Sequence, residues 1–169
     1  MLLYLVRHAP AANRSAAKWP DDADRPLTRR GKRRFRRAAR GLRKLGAKVD
    51  VLLSSRYARA WRTAELLAKE ADWPAPVPCP ELEGGASPAE VVAALQVFGS
   101  HALAAAGLVG HQPLLSEMTS YLLAGDVDRL RVALKKGAVV CLDVGEVPEP
   151  GRAALLWLAQ PKLLRGLAR

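Results

Sequence analysis

The sequence predicts a three-layer α/β/α sandwich around a mainly parallel sheet with one antiparallel strand, formed by residues 1–169 as a single domain. Three observations predict it. Short apolar runs alternate with longer segments of helical periodicity, the pattern of strands joined by crossover helices. Several of the runs stop abruptly at polar side chains (Arg7-His8, Ser54-Ser55, His111), as buried strands do at the edge of a sheet. The last two runs, Ala138–Val144 and Ala153–Leu158, are joined by the short turn Pro148-Glu149-Pro150-Gly151, which suits an antiparallel pair.

Each element follows from local chemistry. Leu2-Leu3-Tyr4-Leu5-Val6 is too short for a helix and ends at a Pro/Ala-rich break, so it reads as a strand buried on both faces. Ala9 to Arg25 is a long polar loop with the acidic cluster Asp21-Asp22-Ala23-Asp24, long enough to suggest function. Thr28 can cap a helix from about Arg29 to Leu45, with Phe35, Ala38, Ala39, Leu42 and Leu45 on one face and Gly46 as its stop. Asp50 to Ser55 is a second strand. A helix from Ala58 to Ala71 follows, with Ala60, Ala64, Leu67 and Ala71 inward and Trp73-Pro74 ending it. The Pro-rich Pro76 to Pro80 can supply at most a short edge strand. Ser87, Pro88 and Glu90 mark the start of a third helix, with Val91, Ala94, Leu95 and Phe98 as its core face. Gly107 to Gly110 is a strand leading into His111, Leu114 to Leu123 is helical, and the tail from Pro161 to Arg165 forms one docking turn. His101, between Ser100 and Ala102, is expected to be exposed.

Composition narrows the class. Half the residues are apolar and a quarter charged, ordinary for a globular chain with an aliphatic core. Cys79 and Cys141 lie far apart in apolar settings without CxxC spacing, so buried thiols in a reducing compartment are expected. The first apolar run is cut at Arg7 and lacks a basic n-region, and no stretch is long enough for a bilayer. A cytoplasmic protein without membrane contact is the expectation. The formal charge of +11 favours an anionic partner. Much of it is local: Arg25 to Lys48 holds twelve Lys/Arg and no acid. No aromatic platform interleaves these cations and no DNA-reading module is present, so a solvated basic face is preferred over a nucleic-acid contact.

In a parallel sheet the three polar strand ends gather on one edge, where open α/β sheets bind ligands. With Arg56 and Arg59 just beyond Ser54-Ser55, two histidines (His8, His111) and two or three arginines would then form a pocket for a tetrahedral dianion, since guanidinium forks match phosphate oxygens. A metal site is the competing reading of two histidines. It lacks carboxylates or thiolates at ligand spacing, and the neighbouring arginines would repel a cation. No metal and no cofactor are expected.

These residues carry a resemblance. Leu5-Val6-Arg7-His8-Ala9 is similar to the Arg-His-Gly signature of the histidine phosphatase superfamily, the phosphoglycerate mutase-like fold. Ser54-Ser55-Arg56-Tyr57-Ala58-Arg59-Ala60-Trp61-Arg62-Thr63-Ala64-Glu65 resembles the second block of that family, Ser-Ser-Pro-x-x-Arg-Ala-x-Gln-Thr-Ala-Glu. Val109-Gly110-His111-Gln112-Pro113 resembles its Val-Gly-His-Asn-Pro, and Pro26-Leu27-Thr28-Arg29-Arg30-Gly31 its Pro-Leu-Thr-x-x-Gly helix entry. The small size, Gly84-Gly85 and Pro161-Lys162-Leu163-Leu164 are similar to the SixA-type phosphohistidine phosphatases. The resemblance implies that His8 is a nucleophile that becomes phosphohistidine, and that Arg7, Arg59 and His111 bind the phosphoryl oxygens. Ala9 departs from glycine, Arg56 from proline, Arg62 from glutamine and Gln112 from asparagine.

Larger members place a Glu or Asp after the second helix as general acid. Glu81 and Glu83 lie in that region and are the candidates, with solvated loop acids as the alternative. The expected activity is a metal-independent phosphatase acting on protein phosphohistidine, its partner a phosphorylated protein of the histidine phosphotransfer type. The alternatives are a hydrolase of small phosphate esters or polyphosphate, and a non-catalytic basic module binding phosphorylated or acidic partners.

Overall fold

In the computed structural model, which describes residues 1–98 and 103–168, six strands form one sheet. They are β1 (Leu2–Arg7), β2 (Val51–Ser54), β3 (Pro76–Pro78), β4 (Ala105–Gly110), β5 (Val139–Asp143) and β6 (Ala154–Ala159). The helices are α1 (Arg29–Lys44), α2 (Ala58–Ala71), α3 (Pro88–Phe98), α4 (Leu114–Ala124) and α5 (Pro161–Leu167). The strand order is β3-β2-β4-β1-β5-β6. β1 pairs parallel with β4 from Leu2↔Ala105 to Arg7↔Gly110, and β5 alone runs against its neighbours. The expected mixed sheet with one antiparallel strand is therefore present, and Pro76–Pro78 is its short edge.

The pleat of β1 divides the core. Tyr4 and Val6 pack with Phe35, Ala39, Leu67 and Leu164 in the layer of α1, α2 and α5. Leu3 and Leu5 pack with Leu95, Leu115 and Met118 in the layer of α3 and α4. Each fully buried leucine contributes about 1.5–3 kcal/mol relative to exposure. Both cysteines are buried and unbridged.

Two glycines of α1 set its contacts. A Cβ on Gly41 would lie 2.0 Å from the Leu164 carbonyl oxygen, so α5 approaches α1 backbone to side-chain-free backbone. The tail thus forms a seven-residue helix rather than one turn. A Cβ on Gly31 would lie 2.1 Å from the Pro10 carbonyl oxygen. That carbonyl also accepts from the Thr28 backbone N–H (3.1 Å) and hydroxyl (3.3 Å), while Thr28 Oγ1 caps α1 by accepting from Gly31 N–H. The Pro-Leu-Thr-x-x-Gly stretch therefore bolts the helix entry to the loop that follows His8.

Two expectations fail at helix ends. Leu45 is 48% exposed and Phe98 38% exposed, although both continue an apolar face. α1 ends at Lys44, Leu45 keeps helical dihedrals as its C-cap, and Gly46 turns the chain left-handed at φ +70, so Leu45 sits at the frayed end of the apolar face. Phe98 is the last residue of α3, three residues past the buried Leu95. Ala94 is only half-buried, whereas Val91 and Leu95 are buried. His101 lies outside the described residues.

Candidate active site

Because β1, β2 and β4 are mutually parallel, their carboxyl ends lie on one edge. Arg7 is the last residue of β1, Ser55 follows β2, His111 follows β4, and Arg59 lies in the first turn of α2. Arg7, His8, Arg59 and His111 all line one cavity of about 300 Å³, together with Arg14, Arg25, Lys136, Asn13 and Gln112. Among the described residues, no carboxylate lines it.

His8 is 5% exposed. Its Nδ1 lies 2.7 Å from the carbonyl of Ala9, and a carbonyl can only accept. The proton therefore sits on Nδ1 and Nε2 keeps its lone pair. Burial pushes the His8 pKa down to about 4, and the charges of Arg59, Arg7 and Lys136 press in the same direction against the Ala9 hydrogen bond. The imidazole is neutral at physiological pH. Ala9 itself is buried, with its N–H donating to Thr63 Oγ1 (3.0 Å), which in turn donates to the Arg59 carbonyl (2.7 Å). The nucleophile candidate and Arg59 thus share one hydroxyl as a strut.

His111 Nε2 is 3.0 Å from Ser55 Oγ, which also accepts from the Tyr57 N–H. In the tautomer where that hydroxyl donates to Nε2, the His111 proton is on Nδ1. Burial, then His8 and Arg59, push the His111 pKa down to about 3. The two histidine rings lie 5.2 Å apart, and Tyr57 stands 5.0 Å from the His111 ring with the Arg59 guanidinium 5.0 Å over its own face. Tyr57 therefore wedges between two of the site's donors.

Arg7 Nη1 donates to the Leu134 carbonyl, and Arg59 Nη1 donates to the Asp22 carbonyl at 2.6 Å. Asp22 Oδ2 also pairs with Arg59 Nη2 at 3.0 Å, and its carboxylate holds Arg25 (2.8 Å) and Arg14 (3.7 Å). Arg25, foremost, and Arg59 hold the Asp22 carboxyl below the usual carboxylate range, so it stays ionised and is a poor proton donor. Three buried side-chain nitrogens among the described residues have no partner: Arg7 Nε, Arg59 Nε and His111 Nδ1. All three belong to this site. Buried donors left unpaired cost about 1–3 kcal/mol each, and a tetrahedral oxyanion would satisfy them.

The remaining candidates lie elsewhere. Glu81 accepts from Cys79 Sγ (3.2 Å) and Glu83 from the Arg56 N–H (3.2 Å), and neither lines the cavity. Arg56 is exposed and Arg62 pairs with Glu65 at 2.6 Å, so neither extra cation reaches the phosphate-sized space. Sequence reasoning missed Tyr57, Asp22, Arg25 and Lys136. The acidic cluster within a long loop was the available signal for Asp22. Lys136 had none, because it enters from the turn before β5, far along the chain.

Comparison with known proteins bears on the family and the fold. The model of the histidine phosphatase superfamily (branch 1) matches residues 3–84, which include Arg7, His8 and Arg59. An uncharacterized protein of Picosynechococcus sp. strain PCC 7002 is 35% identical over 145 residues, covering 86% of each chain. The protein histidine phosphatase SixA complexed with tungstate superposes with a TM-score of 0.82 at 24% identity, covering 96% of this chain and 98% of that one. A candidate phosphohistidine phosphatase SixA from Nakamurella multipartitia matches with a TM-score of 0.74 at 27% identity over 95% of each chain. The chain belongs to the histidine phosphatase superfamily, and the part that the family model matches holds Arg7, His8 and Arg59.

Proposed function

We propose that this protein is a metal-independent phosphatase that removes phosphoryl groups from protein phosphohistidine through a phosphorylated His8. The observation that carries the proposal is the combination of a neutral His8 whose Nε2 keeps its lone pair and three unpartnered nitrogens on residues that line the same cavity. Nε2 attacks phosphorus in line, a P–Nε2 bond forms and the bond to the leaving group breaks. Arg7, Arg59 and His111 hold the equatorial oxygens, where phosphoryl transfer needs positioning and charge stabilisation above all. Water then attacks phosphorus, the electron pair of the P–Nε2 bond returns to the ring, and inorganic phosphate leaves with the water's oxygen.

The leaving group decides the substrate. An alkoxide has a conjugate acid of pKa near ~16 and needs a proton donor. An imidazole protonated on its other nitrogen departs as a neutral ring. Among the described residues, cations but no carboxylate line the cavity, and Asp22 beside it is held ionised. A good leaving group such as imidazole suits this environment, and the likeness to SixA supports the same reading.

Turnover of a phosphohistidine protein, an aryl phosphate and polyphosphate, compared at equal enzyme concentration, tests the proposal. The phosphohistidine protein is expected to have the highest kcat/KM, with EDTA without effect and tungstate inhibiting. Preference for either other substrate, or loss in EDTA restored by a divalent ion, overturns it.

A further inference from the structure

A second cavity, of about 310 Å³, opens beside the first between the start of α1, the turn before β5 and α5. Its side chains include Arg34, Lys135, Lys136, Lys162 and Arg165, over a floor formed by Phe35 and Pro161. Five cations meet there, and among the described residues none is paired with a carboxylate. The opposite flank of α1 differs. Arg36 and Arg40 converge on Glu70 (3.6 and 2.7 Å) and Arg43 meets Asp72 (2.8 Å). One side of the helix is neutralised by α2 and the other is left to repel itself. Burial, then Arg34 and Arg37, lower the basicity of Arg165.

The walls of this cleft are fixed to the catalytic edge. Gly137 N–H donates to the carbonyls of Arg7 and His8, both at 3.0 Å, which ties the Lys135-Lys136 turn to the end of β1. Gln160 joins that turn to α5, accepting from Lys135 N–H (3.2 Å) and donating to the Ala133 carbonyl (2.6 Å). Lys136 lines both cavities, and Pro10, two residues after His8, lines the second. An occupant of the cleft therefore lies next to the phosphoryl group held by the site.

We propose that the cleft is a docking site for an acidic segment of the phosphoprotein substrate, its carboxylates lying between Arg34, Lys135, Lys162 and Arg165. The inference rests on the phosphohistidine-protein reading above. The chemistry favours carboxylates over a further phosphoryl group. The phosphoryl site uses guanidinium groups held by carbonyls, Arg59 buried and Arg7 half-buried, whereas the cleft offers three exposed ammonium groups on rotatable stems. Such groups suit dispersed charges on a protein surface rather than one compact dianion.

The test compares the two flanks of α1. Arg34→Glu with Lys162→Glu reverses the cleft, and Arg36→Glu with Arg40→Glu reverses the neutralised flank. The full chain is assayed on an acidic phosphohistidine protein and on para-nitrophenyl phosphate, and for binding of a fluorescent octaglutamate peptide. The cleft pair is expected to lower kcat/KM for the phosphoprotein on the order of tenfold or more at low salt. It should leave the aryl phosphate within about twofold and abolish peptide binding, while the other pair does neither. Equal effects from both flanks, unchanged peptide binding, or a cleft that binds polyphosphate in preference to the peptide would overturn it. If the wild-type chain leaves phosphohistidine untouched, the proposed function fails, and the peptide measurement still decides whether the cleft takes carboxylates.

Discussion

In the cavity at the end of β1, Arg59 is 5% exposed and Arg7 half-buried, each fixed by a backbone carbonyl and each left with an unpartnered Nε. On the outside of α1, Arg36, Arg40 and Arg43 are exposed and face Glu70 or Asp72 across the helix pair. Both regions are crowded with the same residue, yet they have opposite energetics. The exterior arginines are solvated and screened, and exposed pairs are worth about 0–1 kcal/mol each. The interior ones have lost water, and although Asp22 holds one end of Arg59, the Nε of each is left without an acceptor, so they are poised to bind an anion. Partner and burial, rather than the number of positive charges, separate a site from a surface.

The comparison can be broken most directly at His8. His8→Ala should reduce turnover by at least about 10⁴-fold, the scale for removing a nucleophile. The ring is buried rather than solvent-facing, so the variant's thermal midpoint should also fall, and folding must be matched by circular dichroism. Residual turnover of more than a few per cent in the folded variant would remove His8 from the chemistry.

Arg59→Ala should cost about 10²–10³-fold in kcat/KM, as for loss of one transition-state donor. The loss should persist at 1 M salt, where exterior charges separated by more than about 3 Å of Debye length cease to matter. A defect that vanishes in high salt would put Arg59 in the same category as the helix exterior.

The pH dependence sharpens the contrast further. With His8 at about 4 and His111 at about 3, both stay neutral well below the ordinary histidine value. The acid limb of kcat/KM should therefore fall near pH 4 rather than near ~6.5. The same shifts act on stability. Between about pH 6.5 and 4 the unfolded chain binds protons that the folded one refuses, so this contribution is complete above about pH 6.5 and is lost as pH falls toward 4. Nuclear magnetic resonance titration of His8 near 6.5 would show an open, hydrated site.

The smallest expected effect lies on the outside. Arg40→Gln should change stability by no more than about 1 kcal/mol and leave aryl phosphate turnover unaltered, measured by urea unfolding and steady-state kinetics. A larger loss would mean that the α1–α2 charge pairs position the catalytic edge.

The strand ends were legible in the sequence because a buried strand has to stop somewhere, and Arg7-His8, Ser54-Ser55 and His111 are abrupt stops. The helix starts were legible through caps: Thr28 and Ser87 both accept the expected backbone hydrogen bonds, from Gly31 and Glu90. What periodicity could not supply was helix length relative to the core, hence Leu45 and Phe98. Nor could it supply groups that arrive by tertiary folding from irregular segments. Lys136 reaches the cavity only because Gly137 is bonded to the end of β1, and Asp22 only because its short 3-10 turn, Asp22–Asp24, leans on α2. Whether Glu81 or Glu83 approached the site depended on loop geometry that spacing does not encode.

The position of β1 has a consequence for biosynthesis. It is the earliest of the six strands to leave the ribosome, yet its two neighbours in the sheet are β4 and β5. Roughly a hundred residues separate it from β4, which at ~5–20 residues per second is on the order of ten seconds of elongation. Throughout that interval the six-residue strand Leu2–Arg7, apolar up to its final arginine, has no sheet partner. A nascent chain arrested before Ala105 should stay exposed to proteases and to holding chaperones, and the sheet edge that brings Arg7, His8 and His111 together can be assembled only after most of the polypeptide has been made.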